Sequence, residues 1–383
     1  MAFPFVVRPH VVAAVLTSLV AVTDGIAAPD QAGALSSTRT APAAGAPSGA
    51  ELYAKYCALC HGAKLEGYAA DNAPALRSPT FLATASTAFL QSAIERGRAG
   101  TAMAGFGKAV GGPLEPAEVD ALIAFIRGDA GTPQPLAPKA STGDVAKGAR
   151  VYATNCESCH GTATQRGNAV HLANPMFLAS ASDAFLRVAI ADGRPGTPME
   201  PWKDKLSSTE IEDVIAYVRS LARPVPAAPA VPPSPAPAAP VVLNPDGKPP
   251  ELPIRLGRYA SVADVAKAYA EKRRMILIDA RPTSDYLRLH IPGAISVPYF
   301  DMKGLDKVPN DGTWIVAYCV CPHEESGRVL EELRRRGYPN TAVLDEGLFV
   351  WTQQGHPTEA AAGQLPIAAP PAKPAPFAPS PKP

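Results

Sequence analysis

The feature that most constrains this chain is a short cluster that occurs twice, YCALCHG at residues 56–62 and NCESCHG at residues 155–161. Other segments repeat in the same order: SPTFLATASTAFL with NPMFLASASDAFL, ERGRAGTAM with ADGRPGTPM, and DALIAFIR with EDVIAYVR. The offset falls from 99 at the cysteines to 92 at the last pair, so the loops differ in length while the unit persists. Two copies of about 80 residues indicate a tandem domain, not a solenoid of short repeats.

Each copy has the apolar spacing of amphipathic helices. The segment 211–218 places apolar residues at i, i+3, i+4 and i+7, and Ser207 with Glu210 gives a capping-box pattern before it. The segment 119–126 repeats the spacing in the first copy. The short segments LYAKY and RVYAT lead into the two clusters with similar amphipathic character. Both copies are therefore predicted to be all-α.

In both clusters, two cysteines three positions apart are followed at once by a histidine: Cys57, Cys60 and His61, then Cys156, Cys159 and His160. Each thiol of such a motif can add to a vinyl group of haem, and the adjacent imidazole can bind the iron. A thioredoxin-like CxxC would follow a strand, a zinc site needs a fourth ligand, and a plain disulfide loop has no use for the histidine. The pattern predicts two covalently attached c-type haems.

The second axial ligand follows by elimination. Met103 is the only methionine between residues 49 and 131, and the motif histidine is the only histidine there. The repeat carries Met103 onto Met199, while His171 and Met176 remain rivals in the second copy without counterparts in the first. A thioether sulfur favours ferrous iron, and two filled axial positions leave no open site at the metal. The predicted role is electron transfer.

Both copies resemble class I cytochrome c domains over nearly their whole length, from the helix before the CxxCH motif to the closing helix LIAFIR or VIAYVR. The resemblance implies haem binding by Cys57, Cys60, His61 and Met103, and by Cys156, Cys159, His160 and Met199. NAPAL (72–76) resembles the segment in which a proline carbonyl steadies the histidine. The second copy has NAVHL (168–172) there, without the proline. Arg98 and Arg194, before each methionine, are either propionate partners or solvated surface residues.

A third block, residues 254–357, has a different pattern. MILID (275–279), TWIVAY (313–318) and TAVLD (341–345) are short, apolar, β-branched runs separated by helical stretches, which predicts a small parallel α/β domain. DARPTSDYLRLHIPGAISVPYF, the strand that ends at Cys319, and GYPNTAVLDEGLFVWTQQGHP together resemble the rhodanese (sulfurtransferase) family. The resemblance implies that Cys319 accepts sulfane sulfur as a persulfide.

The loop after Cys319 departs from that family. The fifth position after the cysteine, usually arginine, is Glu324 in CVCPHEE. A carboxylate there opposes a thiolate and repels thiosulfate, whereas the N-terminus of a following helix favours a thiolate. Cys321 adds a CxC pair that can form a disulfide, pass sulfur between thiols, or simply pack. Sulfur transfer, an inactive binding module, and metal or disulfide chemistry all stay open for this block.

The 43 prolines concentrate in alanine-rich stretches that indicate linkers. A basic start followed by an apolar run from Val11 to Val22, too short to span a bilayer, is typical of a cleaved export signal. The predicted organisation is a signal peptide (1–28), a spacer (29–48), a cytochrome c domain (49–130), a linker (131–142), a second cytochrome c domain (143–223), a Pro/Ala-rich linker (224–253), a rhodanese-like domain (254–357) and a Pro/Ala-rich tail (358–383).

The sequence thus predicts an exported, multidomain protein with two all-α cytochrome c domains and one small α/β rhodanese-like domain. Its net charge of +1, with acids and bases mixed, does not favour nucleic acid as a partner. We expect a dihaem electron carrier that serves redox partner proteins and has no membrane span after signal cleavage. Two alternatives remain: a sulfur-oxidising enzyme in which Cys319 takes thiosulfate or polysulfide and the haems take electrons, and a carrier whose third domain is an inactive docking module.

Overall fold

The computed structural model describes residues 45–229, 231, 241–320 and 323–360. The predicted signal peptide, nearly all of the first spacer, the tail beyond residue 360 and Cys321 therefore lie outside the described residues. The described chain forms two helical units, followed by one α/β unit.

The two helical units have parallel layouts, as the repeat predicts. The first consists of α1 (Gly49–Tyr56), α2 (Ala58–His61), α3 (Pro79–Thr84), α4 (Thr87–Arg96) and α5 (Pro116–Arg127), with 3-10 turns at Lys108–Val110 and Gly128–Ala130. The second consists of α6 (Val145–Asn155), α7 (Glu157–His160), α8 (Pro175–Ser180), α9 (Asp183–Asp192) and α10 (Ser208–Ser220). Ser207 and Glu210 form the predicted capping box at the start of α10, and Ser48 with Glu51 forms one at α1.

Each unit is closed by its first and last helices. Tyr53 of α1 packs against Phe125 of α5 with ring centroids 5.2 Å apart, and Tyr152 of α6 packs against Tyr217 of α10 at 5.0 Å. The α6–α10 crossing depends on Gly148, because a Cβ there would lie 1.9 Å from a backbone carbonyl oxygen of α10. The helix pair thus holds the CxxCH turn, which follows α1 and α6 directly.

The third unit is a five-stranded parallel sheet. Its strands are β1 (Tyr259–Ala260), β2 (Met275–Asp279), β4 (Ile295–Ser296), β5 (Trp314–Tyr318) and β6 (Thr341–Leu344), in the order β1-β6-β5-β2-β4. A small antiparallel pair joins β3 (Leu289–His290) to β7 (Glu359–Ala360). The helices are α11 (Val262–Ala270), α12 (Thr283–Arg288), α13 (Glu324–Arg335) and α14 (Gly347–Gln353), with a 3-10 helix at Met302–Lys307. The three predicted strands are confirmed within one residue, and fully buried β2 explains its unbroken apolar run.

A buried ion pair shapes the end of β2. Arg281 donates from Nε to Asp279 Oδ1 at 2.9 Å and from Nη2 to Asp279 Oδ2 at 2.6 Å, and it also reaches the carbonyl of Leu289. His290 stacks on Tyr286 with centroids 3.9 Å apart. Through these contacts, Asp279, Arg281 and His290 stabilise the fold at this end of the sheet.

Part of the stretch that the sequence marks as a linker lies against the α/β unit. Leu243 exchanges two backbone hydrogen bonds with Met275 of β2, at 2.8 and 3.2 Å, and Leu252 is buried in the core beside α11. Within the described residues, no helix is both long and apolar enough to cross a membrane.

Candidate functional sites

The two CxxCH turns are built in the same way. Cys57 caps the end of α1 and the start of the short helix α2, and Cys156 has the same place between α6 and α7. A tyrosine four residues before each first cysteine fixes the far side of the turn: Tyr53 Oη donates to Gly62 O at 2.7 Å, and Tyr152 Oη donates to Gly161 O at 2.7 Å. Sequence reasoning missed these tyrosines, although their equal offset in both copies was a usable signal.

The four motif thiols form no disulfide among the described residues. Burial raises the pKa of Cys57 to about 12, and burial together with the neighbouring Cys159 raises the pKa of Cys156 to about 11. Burial therefore favours the neutral thiol at Cys57 and Cys156. Paired, unbridged thiols next to a histidine fit the attachment of a porphyrin and not a structural crosslink.

Each motif histidine is held by one ring nitrogen. His61 Nδ1 donates to Pro74 O at 2.9 Å, as NAPAL predicts, and His160 Nδ1 donates to Val170 O at 2.8 Å. Because a carbonyl only accepts, the proton sits on Nδ1, which leaves the Nε2 lone pair available to bind a metal. Burial lowers the pKa of both histidines, which favours the neutral ring that a metal requires. The missing proline therefore does not remove the support, since the backbone carbonyl supplies it.

The two methionine loops have one geometry. Arg98 N donates to Met103 O at 2.7 Å, and Thr101 Oγ1 accepts from Met103 N at 3.1 Å while donating to Arg98 O at 2.7 Å. Arg194, Thr197 and Met199 repeat these bonds at 2.7, 3.1 and 2.8 Å. The shared GRxGTxM sequence thus forms the same turn in both domains, in which the threonine hydroxyl bonds to the backbone and holds the methionine in an equivalent position.

The rival ligands of the second copy have other partners. His171 Nε2 lies 2.9 Å from Thr162 O, in the loop that follows the CxxCH turn. Met176 is 3 % exposed in the first turn of α8, where it packs in the core. These contacts favour Met199 over both as the iron ligand.

The helical units meet at four phenylalanines related by the repeat. Phe89 and Phe185 stack at 4.9 Å, and Phe81 and Phe177 lie edge-on to Phe185 and Phe89 at 6.4 and 6.1 Å. Arg98 Cζ lies 5.1 Å from the Phe89 centroid and 6.0 Å from that of Phe177. The contact is therefore approximately two-fold symmetric.

The arginines complete that symmetry. Arg194 Cζ lies 4.9 Å from the Phe185 centroid and 5.9 Å from the Phe81 centroid. Burial lowers the pKa of Arg98 and of Arg194 to about 10, so neither is a solvated surface residue. Arg98 Nη1 is buried with no hydrogen-bond partner among the described residues. A buried guanidinium that lacks an acceptor fits an absent anionic group such as a haem propionate.

The candidate sulfur site lies at the end of β5. Cys319 is 2 % exposed, and its Sγ lies 3.2 Å from Ser326 Oγ in the first turn of α13. Glu324 is the exposed first residue of that helix. Burial, followed by the carboxylate of Asp285, raises the pKa of Glu325. Glu325, which is half-buried, thus adds a second carboxyl group beside that of Glu324 in the first turn of α13.

The α/β unit that carries Cys319 is packed against the first CxxCH turn. Tyr299 Oη donates to Tyr56 O at 2.9 Å in a buried bond, and the Phe300 ring meets the Tyr56 ring edge-on at 4.8 Å. Leu59, between the two motif cysteines, packs against the α/β core and borders a cavity of about 220 Å³ beside His323. Burial, with Glu325, Asp71 and Cys319 adding to it, raises the pKa of Cys60. No sequence signal indicated this contact.

The comparisons with known proteins agree with this architecture. Residues 44–126 and 143–218 match the family model described as cytochrome c oxidase, cbb3-type, subunit III, and residues 261–354 match that of the rhodanese-like domain. The chain thus consists of two cytochrome c domains and a rhodanese-like domain. The two cytochrome segments match the cbb3-type subunit III model, and cytochrome c domains imply c-type haem. The predicted fold class is confirmed.

Curated relatives match over the cytochrome region. A cbb3-type cytochrome c oxidase subunit FixP from Bradyrhizobium sp. (strain ORS 278) is 31 % identical over 185 residues, covering 45 % of this chain and 60 % of the relative. A CcoP subunit from Azospirillum sp. (strain B510) is 29 % identical over 191 residues, covering 45 % and 61 %. This chain therefore spans about three fifths of their length. The Alr3790 protein of Anabaena sp. matches 27 % of this chain and 93 % of its own, with 23 % identity and a TM-score of 0.25.

Proposed function

We propose that this protein is an exported electron carrier with two covalently attached c-type haems, one in each cytochrome c domain. The observation that carries the proposal is the duplicated CxxCH turn, in which His61 and His160 are each fixed through Nδ1 to a backbone carbonyl. Bound haem iron supplies one-electron redox chemistry. The chain's own residues attach it through Cys57, Cys60, Cys156 and Cys159, and bind its iron through His61, Met103, His160 and Met199.

The residues around each centre restrict it to electron transfer. Thr101 and Thr197 hold the loops of Met103 and Met199 by hydrogen bonds, and the two thioethers would bind the haem iron and leave no open position for other ligands. Arg98 and Arg194 sit at the common phenylalanine contact, so the two methionine loops are structurally coupled. Electrons then pass between redox partner proteins by way of both domains. The names of the relatives make a cbb3-type oxidase the first partner to test.

Intact mass and visible spectra of protein matured in a host that attaches c-type haem test this assignment. We expect the mass of two haems in the wild type, and of one haem in Cys57→Ser/Cys60→Ser and, as its matched counterpart, in Cys156→Ser/Cys159→Ser. Met103→Ala and Met199→Ala should each remove part of the near-infrared band that methionine ligation produces. A colourless, haem-free mature protein would sink the assignment.

A second candidate function adds sulfur chemistry at Cys319. It is favoured by one observation, the packing of the rhodanese-like domain against the first CxxCH segment through Tyr299 and Leu59. In that case the rhodanese-like domain accepts sulfane sulfur from thiosulfate or polysulfide beside the first haem site. If instead Cys319→Ser leaves every thiosulfate- and polysulfide-dependent change of mass and haem spectrum unaltered, the third domain is a docking module.

A further inference from the structure

The loop after Cys319 has a carboxylate at the position where the rhodanese family usually has arginine. Glu324 occupies the fifth position after the cysteine, and Glu325 packs inward behind it. Arg328, one turn further along α13, is exposed to solvent. An anionic sulfur donor approaching Cys319 therefore meets carboxyl groups from its own domain.

A buried arginine reaches this region from another domain. Arg166, in the loop after the second CxxCH turn, has a side chain only 6 % exposed, and its Nη2 bonds to Asp71 of the first domain at 3.0 Å. Its Cζ lies 5.7 Å from the ring centroid of Phe349 in the rhodanese-like domain. All three domains meet at this guanidinium.

Two nitrogens of that guanidinium are unsatisfied. Arg166 Nε and Nη1 are buried and have no hydrogen-bond partner within the part of the chain that the structure describes. A buried charged donor left unpaired is costly, and native proteins rarely keep one without an acceptor. The nearby carboxylate of Asp71 takes only one of the three nitrogens. The remaining N–H groups are suited to an anion.

The Phe349 contact places this cation next to the sulfur site. Leu348, the neighbour of Phe349 in α14, donates its backbone N–H to Cys319 O at 2.9 Å. The turn is so close that a Cβ on Gly347 would lie 2.5 Å from Val320 O. Arg166 and Cys319 thus belong to one junction.

We propose that Arg166 is the anion-binding residue of the Cys319 site, supplied in trans by the second cytochrome c domain, and that its ligand is a thiosulfate-type sulfane-sulfur donor. This rests on the second candidate function above. The Cys319 thiol gives its proton to water, and its sulfur bonds to the outer sulfur of thiosulfate. The sulfur–sulfur bond of thiosulfate breaks, and sulfite leaves with the electron pair and takes up a proton. One thiol and one thiosulfate give one persulfide anion and one hydrogensulfite, with no oxidant consumed.

The geometry also separates sulfur loading from electron transfer. The donor is bound by Arg166, whereas the haem centres depend on the motif residues and the methionine loops. Loss of Arg166 should therefore leave the haem content intact. The two functions can fail independently, which makes the test decisive.

The test follows sulfur loading of Cys319 in the full-length holoprotein with thiosulfate as the donor. Peptide mass spectrometry after alkylation gives the fraction of Cys319 that carries one extra sulfur at each time and thiosulfate concentration. Arg166→Gln removes the charge, Arg166→Lys keeps it, and Arg150→Gln removes an exposed arginine of the same domain as the matched control. Cys319→Ser defines the background. Haem mass and the ascorbate-reduced spectrum are recorded for every variant.

We expect Arg166→Gln to raise the thiosulfate concentration for half-maximal loading about tenfold or more, with little change of rate at saturation, and Arg166→Lys to recover part of the loss. The proposal is overturned if Arg166→Gln loads like Arg150→Gln. It is equally overturned if only the saturated rate falls, which a structural role would cause. Wild-type protein that holds both haems but gains no sulfur would refute both this inference and the sulfur candidate, while leaving the electron carrier intact.

Discussion

At the residue scale, the repeat shows which side chains support the CxxCH turns and methionine loops beside the proposed iron ligands. Tyr53 and Tyr152 pin the CxxCH turns, and Thr101 and Thr197 lock the methionine loops with the same two hydrogen bonds. A carbonyl oxygen holds each motif histidine, from Pro74 in one copy and from Val170 in the other. The backbone carbonyl and not the side chain gives that support, whereas the tyrosines and threonines act through their own hydroxyl groups.

Removing the hydroxyl group of Thr101 should make the position of the Met103 side chain less well fixed. Thr101→Val deletes a group that accepts from Met103 N and donates to Arg98 O, so we expect a loss of about 1–2 kcal/mol of unfolding free energy. The near-infrared methionine band of the first domain should weaken too. Denaturant unfolding and spectroscopy check this, with exposed Thr132→Val as the control. An unchanged band and stability would show that the lock is dispensable.

A second residue-level prediction concerns acid stability. Burial acts to raise the pKa of Asp183, but the Ser141 N–H and Arg219 outweigh it and lower the pKa. Because the pKa of Asp183 is lower in the folded protein, the ionised carboxylate stabilises the fold at any pH above its pKa in the unfolded chain, about 3.9. This stabilisation is lost as the pH falls through the pKa of the folded state.

Asp183→Asn should therefore cost about 1 kcal/mol at pH 7, because the pair with Arg219 is partly exposed, and progressively less below pH ~4. Urea unfolding across this pH range measures the difference. A cost that stays constant down to the acid limit would contradict the ionic origin.

At the scale of elements, the closing helices determine where each CxxCH turn sits. The capping boxes fix the starts of α1 and α10, and close crossing of α6 with α10 depends on a glycine. The periodicity of the sequence was sufficient to predict these helices and the strands β2, β5 and β6, because each buries an apolar face or run that local pattern reveals.

Helix crossing predicts opposite effects for two glycine substitutions. In Gly148→Ala the added methyl group would lie 1.9 Å from a backbone carbonyl oxygen of α10. We therefore expect the free energy of unfolding to fall by about 1–3 kcal/mol. Gly327→Ala in α13 meets nothing within 4 Å and should stabilise by about 0.5–1 kcal/mol through helix propensity. Thermal unfolding compares the two. Equal effects would contradict the close α6–α10 approach.

At the scale of the whole molecule, each of the three domains contacts the other two. The cytochrome c domains meet through the symmetric phenylalanine and arginine cluster, and Tyr299 of the rhodanese-like domain bonds to the first CxxCH segment at Tyr56. Thr80 Oγ1 donates to Gly193 O at 2.8 Å and Asn174 Nδ2 to Ala99 O at 2.9 Å, tying each methionine loop to the other domain.

The phenylalanine stack should appear as an energetic coupling. Phe89→Ala and Phe185→Ala should each cost about 3–5 kcal/mol, and the double variant should cost less than their sum by about 0.5–1.5 kcal/mol. Phe125→Ala with Phe185→Ala is the control pair, since Phe125 packs on Tyr53 within its own domain. Additive costs for the stacked pair would show that the domains do not meet through it.

The sequence by itself determined the covalent chemistry and the local structure: the CxxCH motifs, the methionine loops, the helices and strands, and the departure at Glu324. These depend on short-range spacing, which the order of residues states directly. Only the tertiary structure decided that Val170 can replace Pro74, that Arg98 and Arg194 share one phenylalanine cluster, and that Arg166 and Cys60 lie beside the Cys319 loop. Such contacts join residues far apart in the chain through complementary surfaces, and no local pattern encodes which surfaces will meet.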